Sequence, residues 1–156
     1  MALVRILVDG YSLLHNWPEL APGKARHSAA ARDELIHVLT RFQDADGTPI
    51  TVFFDGAGAP PDATNGEASQ DVEVLYSRIG QTADDLIERA AHRFKTYGEV
   101  LAVTNDVAER DIVVGMGGNA ASCQNFKIMV QSVLSEFEDG LKQYNRMEED
   151  RFRQKR

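Results

Sequence analysis

A chain of 156 residues with 43% hydrophobic residues is long enough to bury the core of one ordinary globular domain, and its single cysteine excludes intrachain disulfides and thiolate zinc sites. The formal net charge of −7 argues against nucleic-acid binding by bulk electrostatics, but it is compatible with carboxylates gathered around a divalent cation. Since the sequence shows neither a run of the ~20 apolar residues that span a bilayer nor a signal-type segment, we expect a cytoplasmic protein without membrane association.

The first half of the chain contains two apolar runs that predict buried strands. Residues 3–8 (LVRILV) and 50–54 (ITVFF) are rich in branched and aliphatic side chains, as are strands that are covered on both faces of a parallel sheet. Between these runs, apolar residues recur at helical spacing and predict a helix that begins near Ser28. Its apolar face consists of Leu35, Val38, Leu39 and Phe42.

The next segments predict a loop, three short strands and a helix. Residues 55–70 are rich in Gly, Pro and Asn, which predicts a long loop, and residues 72–76 (VEVLY) predict a short strand. A helix whose apolar side chains end at Phe94 follows. Residues 100–104 (VLAVT) predict another strand, and residues 111–114 (DIVV) predict a further short one.

The last strong element is an amphipathic helix from about Ser122 to Phe137. Strands and helices therefore alternate along the whole chain, and this pattern predicts an α/β fold with a mainly parallel central sheet. We expect one domain over residues 1–140. Residues 141–156 are rich in both charges and predict a charged helix end or tail.

Aspartates stand at or near the ends of several predicted strands. Asp9 and Asp55 directly follow the first two strands, and Asp106 comes two residues after the strand at 100–104. Asp84 and Asp85 lie in the first turn of the helix that begins TADDLIE. Because ligands of parallel sheets bind at the carboxyl ends of the strands, we expect all five carboxylates at one rim.

Each of these acids also has a purely structural interpretation. Asp84 and Asp85 are favoured by the dipole at a helix N-terminus, where Thr82 would be the N-cap and Asp85 the second member of a capping box. Asp106 could cap a short helix, and Asp55-Gly56 is a common turn pair. Convergence favours the other interpretation, because clustered like charges repel one another unless a cation lies among them.

The chemistry that suits such a cluster is phosphodiester hydrolysis. Oxygen ligands without histidine or cysteine select Mg²⁺ or Mn²⁺. One or two such ions can activate water and stabilise the leaving oxygen, so that the protein needs to supply only the acidic ligands. The residues therefore predict a metal-dependent nuclease without a serine or cysteine nucleophile.

Four segments together resemble the PIN-like nuclease superfamily, and more closely the NYN domains of the YacP-like bacterial group. The similarity extends over roughly residues 3–137 and keeps the order of the segments. They are DGYSLLHNW at 9–17, VFFDGAGAPP at 52–61, TADDLIE at 82–88 and VTNDVAER at 103–110.

The resemblance implies a single PIN-like, Rossmann-like domain of three layers, with helices on both faces of the sheet. It also implies a Mg²⁺- or Mn²⁺-dependent endoribonuclease, in which Asp9, Asp84 or Asp85, and Asp106 match the metal-binding acids of the family. Asp55 matches a further aspartate of the related 5′-nucleases. The implied partner is RNA, and the translation machinery is a candidate second partner.

Two positions depart from the family pattern. NYN domains favour Asn where this chain has Ser12, and the 5′-nuclease pattern has a second acid where this chain has Ala108. These departures leave open a catalytically inactive RNA-binding or scaffold protein. Another alternative is a receiver-type phosphoacceptor domain, which would use Asp55 together with Thr104 on a later strand.

Polar and basic residues near the acids, or in the tail, are candidates for contact with substrate. Thr104 and Asn105 adjoin Asp106, and Ser12 lies three residues after Asp9. The tail adds four cations within six residues, against the structural alternative of a solvated end. These cations are Arg151, Arg153, Lys155 and Arg156.

Overall fold

The structure is a computed structural model that describes residues 3–56 and 72–154. These residues form five strands and five helices around one sheet. In chain order they are β1 (Leu3–Asp9), α1 (Gly10–His15), α2 (Ala29–Asp46), β2 (Ile50–Phe54), β3 (Glu73–Tyr76), α3 (Ala83–Phe94), β4 (Glu99–Val103), α4 (Val107–Gly115), β5 (Asn119–Ala121) and α5 (Cys123–Gln154).

The central sheet is parallel at every pairing, in the order β3-β2-β1-β4-β5. The central strand β1 is hydrogen-bonded on both sides, and Val8 lies opposite Val52 of β2 and Val103 of β4. The apolar composition of β1 and β2 follows from this position, because helices cover both faces of such a strand.

Side chains that alternate along β1 enter two separate cores. Ile6 and Val8 pack with residues of α1, α2 and α5, whereas Leu7 packs on the other face with Ile87 of α3 and Val113 of α4. The result is a three-layer arrangement of helices, sheet and helices. The predicted α/β fold with a parallel sheet is thereby confirmed.

The prediction of a strand at residues 111–114 was wrong. These residues belong to α4, which begins after the N-cap Asp106. Val113 is fully buried, but Ile112 and Val114 are exposed on the outer side of the helix. The run of branched residues imitates a strand, although only one of them reaches the core. The fifth strand is instead Asn119–Ala121, which pairs with β4.

The last helix is also longer than the amphipathic pattern predicted. It does not end at Phe137 but continues through Gly140 to Gln154. Beyond Phe137 its large apolar side chains are largely exposed, so the core-facing signal fades although the helix goes on. The predicted loop at 55–70 lies mostly outside the described residues.

The strand order separates this fold from the receiver alternative. Receiver domains have the order 2-1-3-4-5, whereas an order that begins 3-2-1-4-5 is that of the Rossmann type. The observed order is 3-2-1-4-5. In the part of the chain that is described, no helix combines the length and apolar character that crossing a membrane requires.

Candidate active site at the carboxyl rim of the sheet

The strand order reverses between β1 and β4, and parallel sheets bind ligands beside such a reversal. Three segments meet there. The Ser12 hydroxyl of α1 accepts a hydrogen bond of 3.4 Å from the Asn105 amide and lies 3.4 Å from the buried Cys123 Sγ of α5. The Cys123 amide in turn donates to Asn105 Oδ1 at 2.8 Å. Ser12 and Asn105 therefore hold the rim together.

Asp9 ends the central strand and caps α1. Its Oδ1 accepts a hydrogen bond of 3.3 Å from the Ser12 amide. Burial raises the pKa of the Asp9 carboxyl to about 6, and the negative charges of Asp84, Asp55 and Asp106 raise it further, against the lowering effect of the Ser12 amide. Asp9 is therefore a partly desolvated carboxyl group with three acidic neighbours.

The helix α1 begins directly after Asp9 because the next residue is glycine. A Cβ atom at Gly10 would lie 2.3 Å from Cε1 of Phe54, which is closer than side chains tolerate. The absence of a side chain at this position lets the first turn of α1 lie against β2. The sequence Asp9-Gly10 thus fixes both the acid and the entry into the helix.

The start of α3 assigns different roles to its two aspartates. Thr82 and Asp85 form a reciprocal capping box, in which the Asp85 carboxylate accepts from the Thr82 amide at 3.1 Å. Asp85 is exposed and engaged in this cap. Asp84 is half-buried, and its pKa is raised by burial and then by the charges of Asp106 and Asp55, which are the largest among its acidic neighbours. Asp84 therefore belongs to the acidic group, and the structural interpretation describes Asp85.

Asp106 caps α4. Its Oδ1 accepts hydrogen bonds from the amides of Ala108 at 3.0 Å and Glu109 at 3.3 Å. The Asp106 amide donates to Thr104 Oγ1 at 3.1 Å, and Thr104 itself is almost completely buried. Thr104 therefore shapes the turn that presents Asp106, and its burial leaves little surface for contact with substrate.

The sequence reasoning missed Glu109, a sixth acidic residue at this rim. Its side chain is only 3% exposed. Burial, a hydrogen bond with the Glu88 carboxyl group and the charges of Asp84, Glu88 and Asp106 raise the pKa of Glu109 to about 8. The spacing Asp106-x-x-Glu109 is a recognisable signal, but it would have marked Glu109 as a capping residue.

The side chains at the rim suit a hard divalent cation by their chemistry. Asp9, Asp55, Asp84 and Asp106 are electrostatic neighbours and offer only oxygen ligands. Four helices, α1, α3, α4 and α5, start at this rim and favour negative charge there. Among the described residues, no three His, Cys, Asp or Glu side chains already converge on one metal position, so ligation requires these carboxylates to rotate towards one another.

The tail cations lie far from these acids. The helix α5 starts at the rim, and Arg151 and Arg153 lie in its last turn, roughly 40 Å further along the helix axis. Arg151 pairs with Glu148 of the preceding turn at 3.4 Å. Lys155 and Arg156 lie outside the described residues.

Comparison with known proteins gives a consistent set of similarities. The family model described as YacP-like NYN domain matches residues 6–156. The protein YacP of Bacillus subtilis (strain 168) is 29% identical over 129 residues, which are 82% of this chain and 75% of that protein. The crystal structure of Rae1 (YacP) from Bacillus subtilis has a TM-score of 0.76 and 26% identity, covering 96% of this chain and 85% of that one. A mutant of Rae1 gives the same TM-score.

Proposed function

Because the chain belongs to the YacP-like NYN domain family, whose fold is nuclease-like, we propose that it is an endoribonuclease that depends on Mg²⁺ or Mn²⁺. The observation that carries the proposal is the meeting of Asp9, Asp55, Asp84 and Asp106 where the strand order reverses. The substrate is RNA, which is cut by hydrolysis of a phosphodiester bond.

Asp9, Asp84 and Asp106 would hold one or two cations, with Asp55 at the side of β2. Bound Mg²⁺ or Mn²⁺ supplies Lewis-acid chemistry for hydrolysis. Asp9 and Asp106 each use one oxygen as a helix cap, which fixes the orientation of the carboxylate. The helix N-termini behind these caps also favour the negative phosphate of the substrate.

Ser12 and Asn105 act through position rather than by touching the substrate. The Ser12 hydroxyl and the Asn105 side chain are engaged with one another's segments and with Cys123. The hydroxyl thus supports the rim at the place where the family pattern favours an amide. This local arrangement supports an intact site despite the departure at Ser12.

The test is cleavage of end-labelled single-stranded RNA by the parent protein in Mn²⁺, in Mg²⁺ and in excess EDTA. We expect cleavage only with metal, and a loss on the order of 10²-fold or more in Asp9→Asn. Asp44→Asn is the matched control, because Asp44 is an exposed aspartate of α2. Equal activity of Asp9→Asn and the parent would overturn the proposal.

A protein that binds the RNA but does not cut it under any metal condition would be the inactive RNA-binding or scaffold alternative. The position of Ala108, which offers no second acid two residues after Asp106, keeps this alternative in the test. Co-sedimentation with ribosomes would separately test the translation machinery as a partner.

A further inference from the structure

Glu109 presents an oxygen that the fold does not satisfy. Within the described residues, three buried side-chain atoms lack a hydrogen-bond partner, and Glu109 Oε1 is the one that belongs to a carboxyl group. Burying a carboxylate without a partner costs free energy, and natural proteins keep such groups where they serve a purpose. The burial of this residue therefore requires a chemical explanation.

Helix capping does not explain the burial of Glu109. A capping-box glutamate would accept from the amide of the N-cap residue, but the Asp106 amide already donates to Thr104. Ion pairing does not explain it either, since none of the ion pairs formed by the described residues includes Glu109 or Glu88. The polar neighbours of its carboxyl group are instead other acids.

The acids of the rim fall into two overlapping sets. The acidic neighbours of Asp9 are Asp84, Asp55 and Asp106, whereas those of Glu109 are Asp84, Glu88 and Asp106. Asp84 and Asp106 thus lie between Asp9 on one side and Glu109 on the other. Such sharing of carboxylates suits two neighbouring cation positions.

The helices α3 and α4 bring the second set together. Asp84 and Glu88 are four residues apart on α3 and therefore lie on the same face of the helix, one turn from each other. Glu109 approaches this face from the first turn of α4 and contacts Glu88. Its longer side chain starts one residue after Ala108, where the related nucleases have their second acid.

We infer that Glu88, Glu109 and Asp84 form a second divalent-cation position on the α3–α4 side of the rim, separate from the position centred on Asp9. The ion is of the Mg²⁺ or Mn²⁺ class, because all its ligands are carboxylate oxygens. This inference rests on the proposed function in requiring a cation at the rim, but it concerns different residues.

The rival explanation is a protonated Glu109 that donates permanently to Glu88 as a structural pair. Glu109→Gln separates the two, because the glutamine amide can donate to Glu88 and keeps the volume but cannot replace an anionic ligand. Glu88→Gln is a second variant at a less buried position, which is useful if the first one does not fold. Glu136→Gln, at an exposed position of α5, is the control.

The experiment is a Mn²⁺ titration of the full chain, followed by the electron paramagnetic resonance signal of free Mn²⁺, with circular dichroism to verify folding. We expect two binding classes in the parent. Glu109→Gln and Glu88→Gln should each weaken one class by about 10-fold or more, and Asp9→Asn should weaken the other. Glu136→Gln should behave as the parent does.

Parent-like Mn²⁺ stoichiometry and affinity in folded Glu109→Gln and Glu88→Gln would overturn the inference. If Asp9→Asn still weakened both Mn²⁺ binding and RNA cleavage, the proposed function would stand while the second position fell. A parent protein that bound no Mn²⁺ would refute both, and RNA cleavage in EDTA would identify a metal-independent reaction.

Discussion

The Asp55 carboxylate accepts a hydrogen bond of 2.9 Å from the Ala83 amide, which joins the end of β2 to the first turn of α3. One side chain thus connects the position of a sheet strand with that of the helix that carries Asp84. Asp55 is therefore a structural partner of α3 as well as a candidate metal ligand.

Replacement of Asp55 should separate these two roles. Asp55→Ala removes the acceptor for the Ala83 amide and should lower the free energy of unfolding by about 1 kcal/mol, as the loss of a helix cap does. Asp55→Asn keeps an acceptor oxygen and should be closer to the parent in stability, yet it loses the charge that a cation requires. Urea unfolding of both variants measures the difference, and equal destabilisation by the two substitutions would argue against the capping role.

Asp84 and Asp85 should respond to substitution in opposite ways. Asp85→Ala breaks the capping box with Thr82 and should cost about 1 kcal/mol of stability while leaving most of the RNA cleavage activity. Asp84→Asn should leave the fold intact and lower kcat on the order of 10²-fold. Thermal melts and single-turnover cleavage of the two variants, side by side, provide the check. Loss of activity in both would mean that the cap itself positions the site.

The raised pKa of Asp9 predicts a pH-dependent gain in stability on its replacement. The folded protein binds the proton at a pKa of about 6, above the ordinary value of 3.8 for an aspartate, so the ionised carboxylate destabilises the fold above pH 6 and this penalty disappears below about pH 4. Asp9→Asn should therefore exceed the parent in stability at pH 7.5, by an amount on the order of 2 kcal/mol larger than at pH 4.

The measurement is urea unfolding of the parent and Asp9→Asn in EDTA at several pH values between 4 and 7.5. Asp44→Asn serves as the control for general charge effects, because Asp44 is exposed on α2. A stability difference between Asp9→Asn and the parent that did not change across this pH range would contradict the burial of an ionisable Asp9.

Deletion of residues 151–156 should affect affinity for RNA rather than chemistry. The deletion removes Arg151 and Arg153 from the end of α5, far from the acids, together with the last two basic residues. We expect a higher KM, an unchanged kcat and a shallower salt dependence, by about 0.7 in slope for each phosphate of a single strand that the tail no longer neutralises. Steady-state kinetics at several salt concentrations measure all three, and an unchanged KM would identify the tail as a solvated end.

Local signals in the sequence were sufficient for the elements that face the core. The apolar runs of β1 and β2, the Ser28 cap of α2 and the Thr82–Asp85 capping box all involve residues that are close in the chain. The acids at strand ends could be grouped because a parallel sheet brings its carboxyl ends to one rim, a rule that needs no knowledge of side-chain positions.

Other features depended on tertiary contacts that no local pattern encodes. Glu109 is buried because α4 packs beside α3, and its burial leaves no apolar periodicity in the sequence. Asp84 and Asp85 look alike in sequence, and only the direction of each side chain distinguishes acid from cap. The DIVV segment was misassigned because branched residues favour strands wherever packing does not decide otherwise.

The length of α5 has a consequence for how the molecule moves through solution. A helix of 32 residues extends about 48 Å, whereas a compact domain of this chain length has a radius of gyration of only about 15 Å. The helix therefore exceeds the diameter that such a sphere allows, and its distal turns increase the hydrodynamic drag. The protein should sediment more slowly, and scatter X-rays at small angles as a more elongated particle, than its 17.3 kDa mass would suggest.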